Sequence, residues 1–435
     1  MNKSLERWVC GLSLSFAMTF ACFATPTKIP LWHSFSGDLA VQLHQLVRNF
    51  NHSQSLYKVE PIYKGDYVSV LTSFAAAFQA NKQPALVQVF EVGTTTMLHP
   101  SGVIQPVGSL LQDNQQHIPE KDFFPAVNEF YSDNGVLQAL PFNVSVPVLF
   151  YNKALLQRVG YSAANFPKDW DGLEILVHKL QQAGVACGYT TAFPSWIHIE
   201  SFAALHGIAL RDPVTHIYRF DQPAIIQHLS RLRRWQTLHY FEYGGRADEA
   251  TALFTSGHCA LFSQSSGGYK ALASLVPFGV GVAPLPLDRQ ISTIRYPNVV
   301  GGAALWAVSG HSKQVYAGIA AFFAYWTRPE VQQLWSKQTG YIPLGSQGVY
   351  ADIWQTTTLP TMAIAAQDFA KGHGLGVQNA RGPLNFLRMI NDEELEAIFA
   401  GIKTPTEAMQ EAMQRSSYAL LRFEHNTGKM DKEIV

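Results

Sequence analysis

Arg388 stands in an apolar stretch, Phe386-Leu387-Arg388-Met389-Ile390, and a guanidinium sequestered there needs an anion. Asp392 or Glu394 just downstream can serve as that anion. So can a phosphate, whose oxygens match the planar fork two at a time. Ser145, in the run Leu140 to Lys153 (LPFNVSVPVLFYNK), and Ser265, in Ser263-Gln264-Ser265-Ser266-Gly267-Gly268, add neutral hydroxyls, though a strand hydroxyl and a turn residue are their ordinary roles. The second run is rich in backbone N–H groups and precedes a helix at Tyr269, an arrangement that suits an anion. Tyr67 and Tyr341 adjoin glycine-containing turns, which tilts them from core positions towards a cleft. Glu91 closes the apolar run Leu86 to Phe90; repulsion keeps it from a phosphate and makes it an acceptor for alcohol hydroxyls at the opposite end of a ligand.

This is a chemistry of binding. The chain has no G-x-S-x-G elbow, no H-E-x-x-H and no His/Asp set at metal-ligand spacing, so no catalytic residue, metal site or cofactor is expected. Leu205-His206-Gly207 followed by Arg211-Asp212-Pro213 approximates a histidine phosphatase motif but lacks its leading arginine and spacing. A helix-end histidine is the better reading. The alternatives to be weighed are a secreted phosphate-ester hydrolase and an oligosaccharide-binding protein, whose sites rest on aromatic platforms and carboxylates.

Positioning these residues takes an α/β architecture. Lys28 to His33, Tyr57 to Tyr63 and Leu86 to Phe90 read as strands, and the helix from Gly37 carries Leu39, Leu43, Leu46, Val47 and Phe50 on one face. A turn at Lys64-Gly65-Asp66-Tyr67 opens a second helix through Leu71 and Phe78. In open α/β sheets ligands sit beyond the carboxyl ends of strands, where Tyr67 and Glu91 fall. The run 140–153 is β-rich, and Pro141 and Pro147 confine it to a sheet edge or a crossing between lobes. Helices are expected at Lys153 to Val159, Asp169 to Gln182 and Ile197 to Gly207, with Ser195-Trp196 a loop before the last. Gly301-Gly302 breaks a strand from Val299 to Val308 and marks a second crossing. Residues from Gly345 to Pro383 read as irregular, Asn391 with Glu394 as a helix cap, and Thr404-Pro405-Thr406-Glu407 as a capping box.

The 435 residues exceed what one core usually holds, so two lobes are expected. Thirty-two basic residues balance thirty-two acidic ones, which argues against nucleic acid or an anionic membrane surface as partner. Lys3 and Arg7 precede an apolar run from Trp8 to Phe23, and Ala24 ends a secretory signal of residues 1–24, with cleavage after Ala21 the second choice. The mature chain is expected in the periplasm. It keeps Cys187 and Cys259, which either pair or lie buried as separate thiols.

Eight ordered segments, KIPLWHSFSG, PIYKGDY, LVQVFEVGTTTM, PFNVSVPVLFYNK, GHCALFSQSSGG, GGAALW, KQTGYIPL and NDEELEAIF, closely resemble the periplasmic sn-glycerol-3-phosphate-binding proteins of ABC importers. The likeness runs from about Ile29 to about Glu424. It implies a two-lobe, type II periplasmic binding fold like that of maltose-binding protein, with 25–143 plus 300–345 in one lobe and 144–299 plus 346–435 in the other. The ligand would be glycerol-3-phosphate or a glycerophosphodiester such as glycerophosphocholine, delivered by a monomeric binding protein to permease subunits with a cytoplasmic ATPase. It also implies that Tyr67, Glu91, Ser145, Ser265, Gly302, Tyr341 and Arg388 line the site, with Arg388 as the charged phosphate ligand. Family members carry two tryptophans three residues apart where this chain has Phe193 and Trp196, an aromatic wall for the head group that is altered at Phe193.

Overall fold

The computed structural model describes residues 25–356, 359–369 and 382–427; the expected export signal lies outside them. Two five-stranded sheets organise the chain. The first has the order β2-β1-β3-β12-β6, with β1 (Thr27–His33), β2 (Tyr57–Tyr63) and β3 (Leu86–Phe90) parallel. A small hairpin of β4 (Ser132–Asp133) and β5 (Val136–Leu137) precedes β6 (Leu140–Pro141). The second sheet has the order β11-β7-β10-β8-β9, built from β7 (Pro147–Asn152), β8 (Cys187–Thr191), β9 (Phe241–Tyr243), β10 (Cys259–Ser265) and β11 (Val280–Ala283). The chain then returns to the first sheet as β12 (Ala303–Ala307), antiparallel to β3 and β6.

The run 140–153 is therefore two strands in two sheets. Pro141 lies on the edge strand β6, and Pro147 opens β7, the two places where a missing N–H costs no ladder bond. Between them Val144 bridges Ile342 and Ser145 bridges Gly301, so three passages of the chain meet at the junction of the sheets.

Two apolar clusters form: one fills the first sheet and extends to Phe150, Phe262 and Val280 of the second, and the other packs on the second sheet alone. The helix Gly37–Ser53 buries Leu43, Leu46, Val47 and Phe50 in the first, as its periodicity predicts. Trp170–Gln182, Pro223–Thr237 and Leu384–Phe399 cover the second. Asp66 caps Tyr67–Gln79 through Ser69 N–H, and the predicted box forms between Thr404 and Glu407. Cys187 and Cys259, register partners on β8 and β10, are disulfide-bonded. Among the described residues no helix is long and apolar enough to cross a membrane.

Three local expectations fail. Pro194 and Ser195 are helical and lead into a π-helix over Trp196–Ser201; Phe193 takes a left-handed φ of 45° at the entry, and proline suits a first helical turn. Asn391 caps nothing, because Leu384–Phe399 is one helix entered through Pro383, with Asn391 buried at its middle. The stretch 345–383 contains helices Ala351–Thr356 and Pro360–Phe369, and Tyr350, Ile353 and Phe369 pack into the first core.

Candidate functional site

The junction collects the residues singled out above. Tyr67 begins its helix just beyond the carboxyl end of β2 and stacks on Phe90, ring centroids 5.3 Å apart and 5° from parallel. Its hydroxyl accepts a hydrogen bond of 3.0 Å from Asn143 Nδ2. Glu91 follows β3 and is pinned by its own N–H, which donates to the Gly302 carbonyl at 3.0 Å. Ser145 exchanges both backbone bonds with Gly301, at 3.0 and 2.9 Å.

Glycines bring the remaining residues close. A Cβ on Gly301 would lie 2.4 Å from Trp196 Cζ2 and 2.9 Å from Ser145 Oγ, so the indole rests on bare backbone beside that hydroxyl. A Cβ on Gly267 would lie 2.5 Å from Tyr341 Cε1. Gly302, at φ 101°, leaves no room at all: a Cβ would fall 1.8 Å from the Asn143 carbonyl oxygen. Ser265 ends β10, and its Oγ accepts from Gly267 N–H at 3.3 Å, which leaves its own hydrogen to donate. Trp196 meets Phe193 edge to face at 6.3 Å, so the aromatic pair is in place, and the indole Nε1 is buried with no partner among the described residues.

Arg388 is the charged centre. Its Nε and Nη2 donate to the two carboxylate oxygens of Glu200 at 2.8 and 2.7 Å, and Nη1 donates to Glu91 at 2.9 Å. Burial pulls the guanidinium pKa down, but the charges of Glu200 and Glu91 outweigh this and hold it above the ordinary value. Burial raises Glu91 despite the opposing pull of Arg388. Burial also pushes Asp392 up to about 7, against Arg388 and with Glu200 adding to the rise. Tyr67 and Tyr341 are raised by burial as well, Tyr341 to about 12.

Two expectations are corrected by this geometry. Arg388's anion is neither Asp392 nor Glu394: Glu394 bonds Lys403 and Arg415, and the π turn swings Glu200 onto the guanidinium. Glu91 does not sit at the far end from Arg388 but touches it, so in this arrangement it balances charge. Sequence reasoning also missed Glu200, Gln88 and Asn143. Gln88 and Asn143 are each the lone polar residue of an apolar run (LVQVF, LPFNV), and buried polar groups require partners, whereas nothing local in Trp196-Ile197-His198-Ile199-Glu200 marks Glu200.

Residues 45–362 match the family model of bacterial extracellular solute-binding proteins. The sn-glycerol-3-phosphate-binding periplasmic protein UgpB of Yersinia enterocolitica is 36% identical over 97% of this chain and 99% of its own. Its counterpart in Salmonella typhimurium is 35% identical over 97% and 98%. Among solved structures, UgpB from Mycobacterium tuberculosis in complex with glycerophosphocholine superposes with a TM-score of 0.76 at 22% identity, covering 92% of this chain and 99% of that one. Maltose-bound MalE3 of T. maritima gives 0.75 at 17%, covering 90% and 99%. With both sheets, their junction and these full-length relatives in view, the chain belongs to the bacterial extracellular solute-binding proteins, in the group of periplasmic sn-glycerol-3-phosphate-binding proteins with the two-lobed fold of maltose-binding protein.

Proposed function

We propose that this chain is the solute-binding component of an ABC importer, capturing sn-glycerol-3-phosphate and glycerophosphodiesters such as glycerophosphocholine at the junction of its two sheets. The observation that carries this reading is the convergence of one partly buried guanidinium with two phenols and two serines at a single junction. A guanidinium has five N–H donors, and three are engaged by Glu200 and Glu91, so two remain for phosphate oxygens. Tyr67, Tyr341, Ser145, Ser265 and the Gly302 backbone supply neutral donors, Glu91 accepts from glycerol hydroxyls, and Trp196 with Phe193 walls the head group. Nothing in this set performs chemistry on the ligand.

Ligand bridging the two bodies favours their closed arrangement, and the closed form docks on permease subunits served by a cytoplasmic ATPase. We draw the body boundaries at 143/144, 299/300 and 345/346, where the chain crosses, with the helix Pro360–Phe369 packed in a cluster that includes residues of both sheets. The mature protein, exported by residues 1–24, works as a monomer in the periplasm. Calorimetric titration with glycerol-3-phosphate, glycerophosphocholine and maltose tests the assignment. Saturable binding of a phosphate compound and none of maltose is expected; the reverse pattern overturns it.

A further inference from the structure

Behind Tyr67 runs a chain of buried amides whose direction is set by the backbone. The Ser34 N–H donates to Gln88 Oε1 at 2.9 Å, and the Ser34 hydroxyl donates to the same oxygen at 3.1 Å. A backbone N–H can only donate, so the carboxamide oxygen of Gln88 must face it and the NH2 group must point the other way. That group donates to Asn143 Oδ1 at 3.0 Å, which in turn leaves Asn143 Nδ2 facing the Tyr67 hydroxyl at 3.0 Å. Gln88 and Asn143 are both wholly buried, so neither amide can turn round without stranding a polar atom. Gly302, packed on the Asn143 carbonyl, holds that residue from the other side.

Tyr67 Oη thus receives a hydrogen bond, and the Tyr341 hydroxyl lies beside the same Asn143 amide and the Tyr67 hydroxyl. Burial holds both phenols above the ordinary tyrosine range, so both keep their hydrogens. However the two hydroxyls share a bond between them, one phenolic hydrogen is left over at the end of the chain. Around it lie Glu91 and Tyr131, whose hydroxyl is buried and without a partner among the described residues.

We infer that Gln88 and Asn143 are positioning residues that lock the Tyr67–Tyr341 pair as a hydrogen-bond donor, so that this subsite takes an oxygen with lone pairs and no hydrogen to give, the signature of an ionised phosphate rather than a sugar hydroxyl. The inference rests on the ligand reading above and adds the part of the ligand that the phenols recognise. A hydroxyl accepts as readily as it donates, and two unlocked phenols would take either kind of ligand atom; the relay removes that freedom.

Glycerophosphocholine is the probe, because a diester's phosphate keeps one charge across the working pH range. Wild type, Tyr67→Phe, Asn143→Ala, the double variant and Asn143→Asp are titrated by calorimetry, with circular dichroism confirming the fold. Each single change is expected to weaken binding about tenfold, and the double variant by less than the product of the two losses, since Asn143 acts partly through Tyr67 and partly through Tyr341. Asn143→Asp keeps shape and the Gln88 contact but accepts from the phenols, consuming their hydrogens. Its affinity should fall at least about tenfold near pH 7.5 and recover towards wild type near pH 5, as the new carboxyl protonates and donates again. A merely structural role gives no such recovery. Penalties that multiply in the double variant, or an Asn143→Asp deficit unmoved by acid, overturn the relay while the ligand reading stands. A wild type that binds neither glycerophosphocholine nor glycerol-3-phosphate overturns the ligand reading, and this inference with it.

Discussion

The two ends of the site hold their functional groups by different physics. Behind Tyr67 the hydrogen-bond chain runs between neutral groups, and direction comes from a backbone N–H two amides away. Around Arg388 the contacts are ionic, and a guanidinium is held by two carboxylates with a third, Asp392, near enough to feel Arg388 and Glu200. Neutral networks fix orientation and are insensitive to pH near neutrality; charged clusters fix position and respond to protons. A phosphate ester needs both, because it presents charge to one end and oriented lone pairs to the other.

The largest expected effect breaks the charged end. Arg388→Ala leaves Glu91 and Glu200 buried without their cation, which costs about 3–5 kcal/mol of stability at neutral pH. Glu91, already raised by burial, then loses the cation that opposes the rise, so the variant's stability should be highest in acid and be lost as pH rises through that raised value. Urea unfolding at pH 5 and at neutrality should show the deficit shrinking in acid. A pH-independent deficit would mean that Glu91 is not the strained group.

Asp392 sharpens the comparison in wild type. Its pKa rises from 3.8 to about 7 on folding, so its contribution is fully present below about pH 4 and is lost as pH climbs to about 7, by at most roughly 1.4 kcal/mol per unit. Asp392→Asn should flatten that part of the stability profile. Parallel curves for the two proteins would rule the shift out.

Breaking the neutral end should cost least. Gln88→Leu strands the Ser34 N–H and Asn143 Oδ1, about 1–3 kcal/mol with no pH dependence between about 5 and 8. A pH-dependent loss on denaturant titration would mean that the two ends are coupled.

The same contrast explains what could be read without coordinates. The first three strands, the amphipathic Gly37–Ser53 helix and the crossing nature of 140–153 were legible because local period and proline placement carry them. The split of that run into two strands was not, since its bridges reach Gly301 and Ile342. Arg388 was legible as a buried cation in need of an anion. Its partner was sought within a few residues, whereas Glu200 lies 188 positions away and reaches it only through a π turn that periodicity does not announce. The relay escaped for a related reason: glutamine in LVQVF looks like a tolerated polar residue until Ser34 and Asn143 are seen on either side of it.

The bond between Cys187 and Cys259 ties β8 to β10 across a sequence separation of 72, and in the chain-entropy picture such a closure stabilises by about 4 kcal/mol. Disulfides persist only where the surroundings oxidise thiols. A copy of this chain retained among cytosolic reductants keeps the same contacts but lacks that increment, and its second sheet is the part that loosens. The second sheet is thus at its most stable only where those two thiols are oxidised.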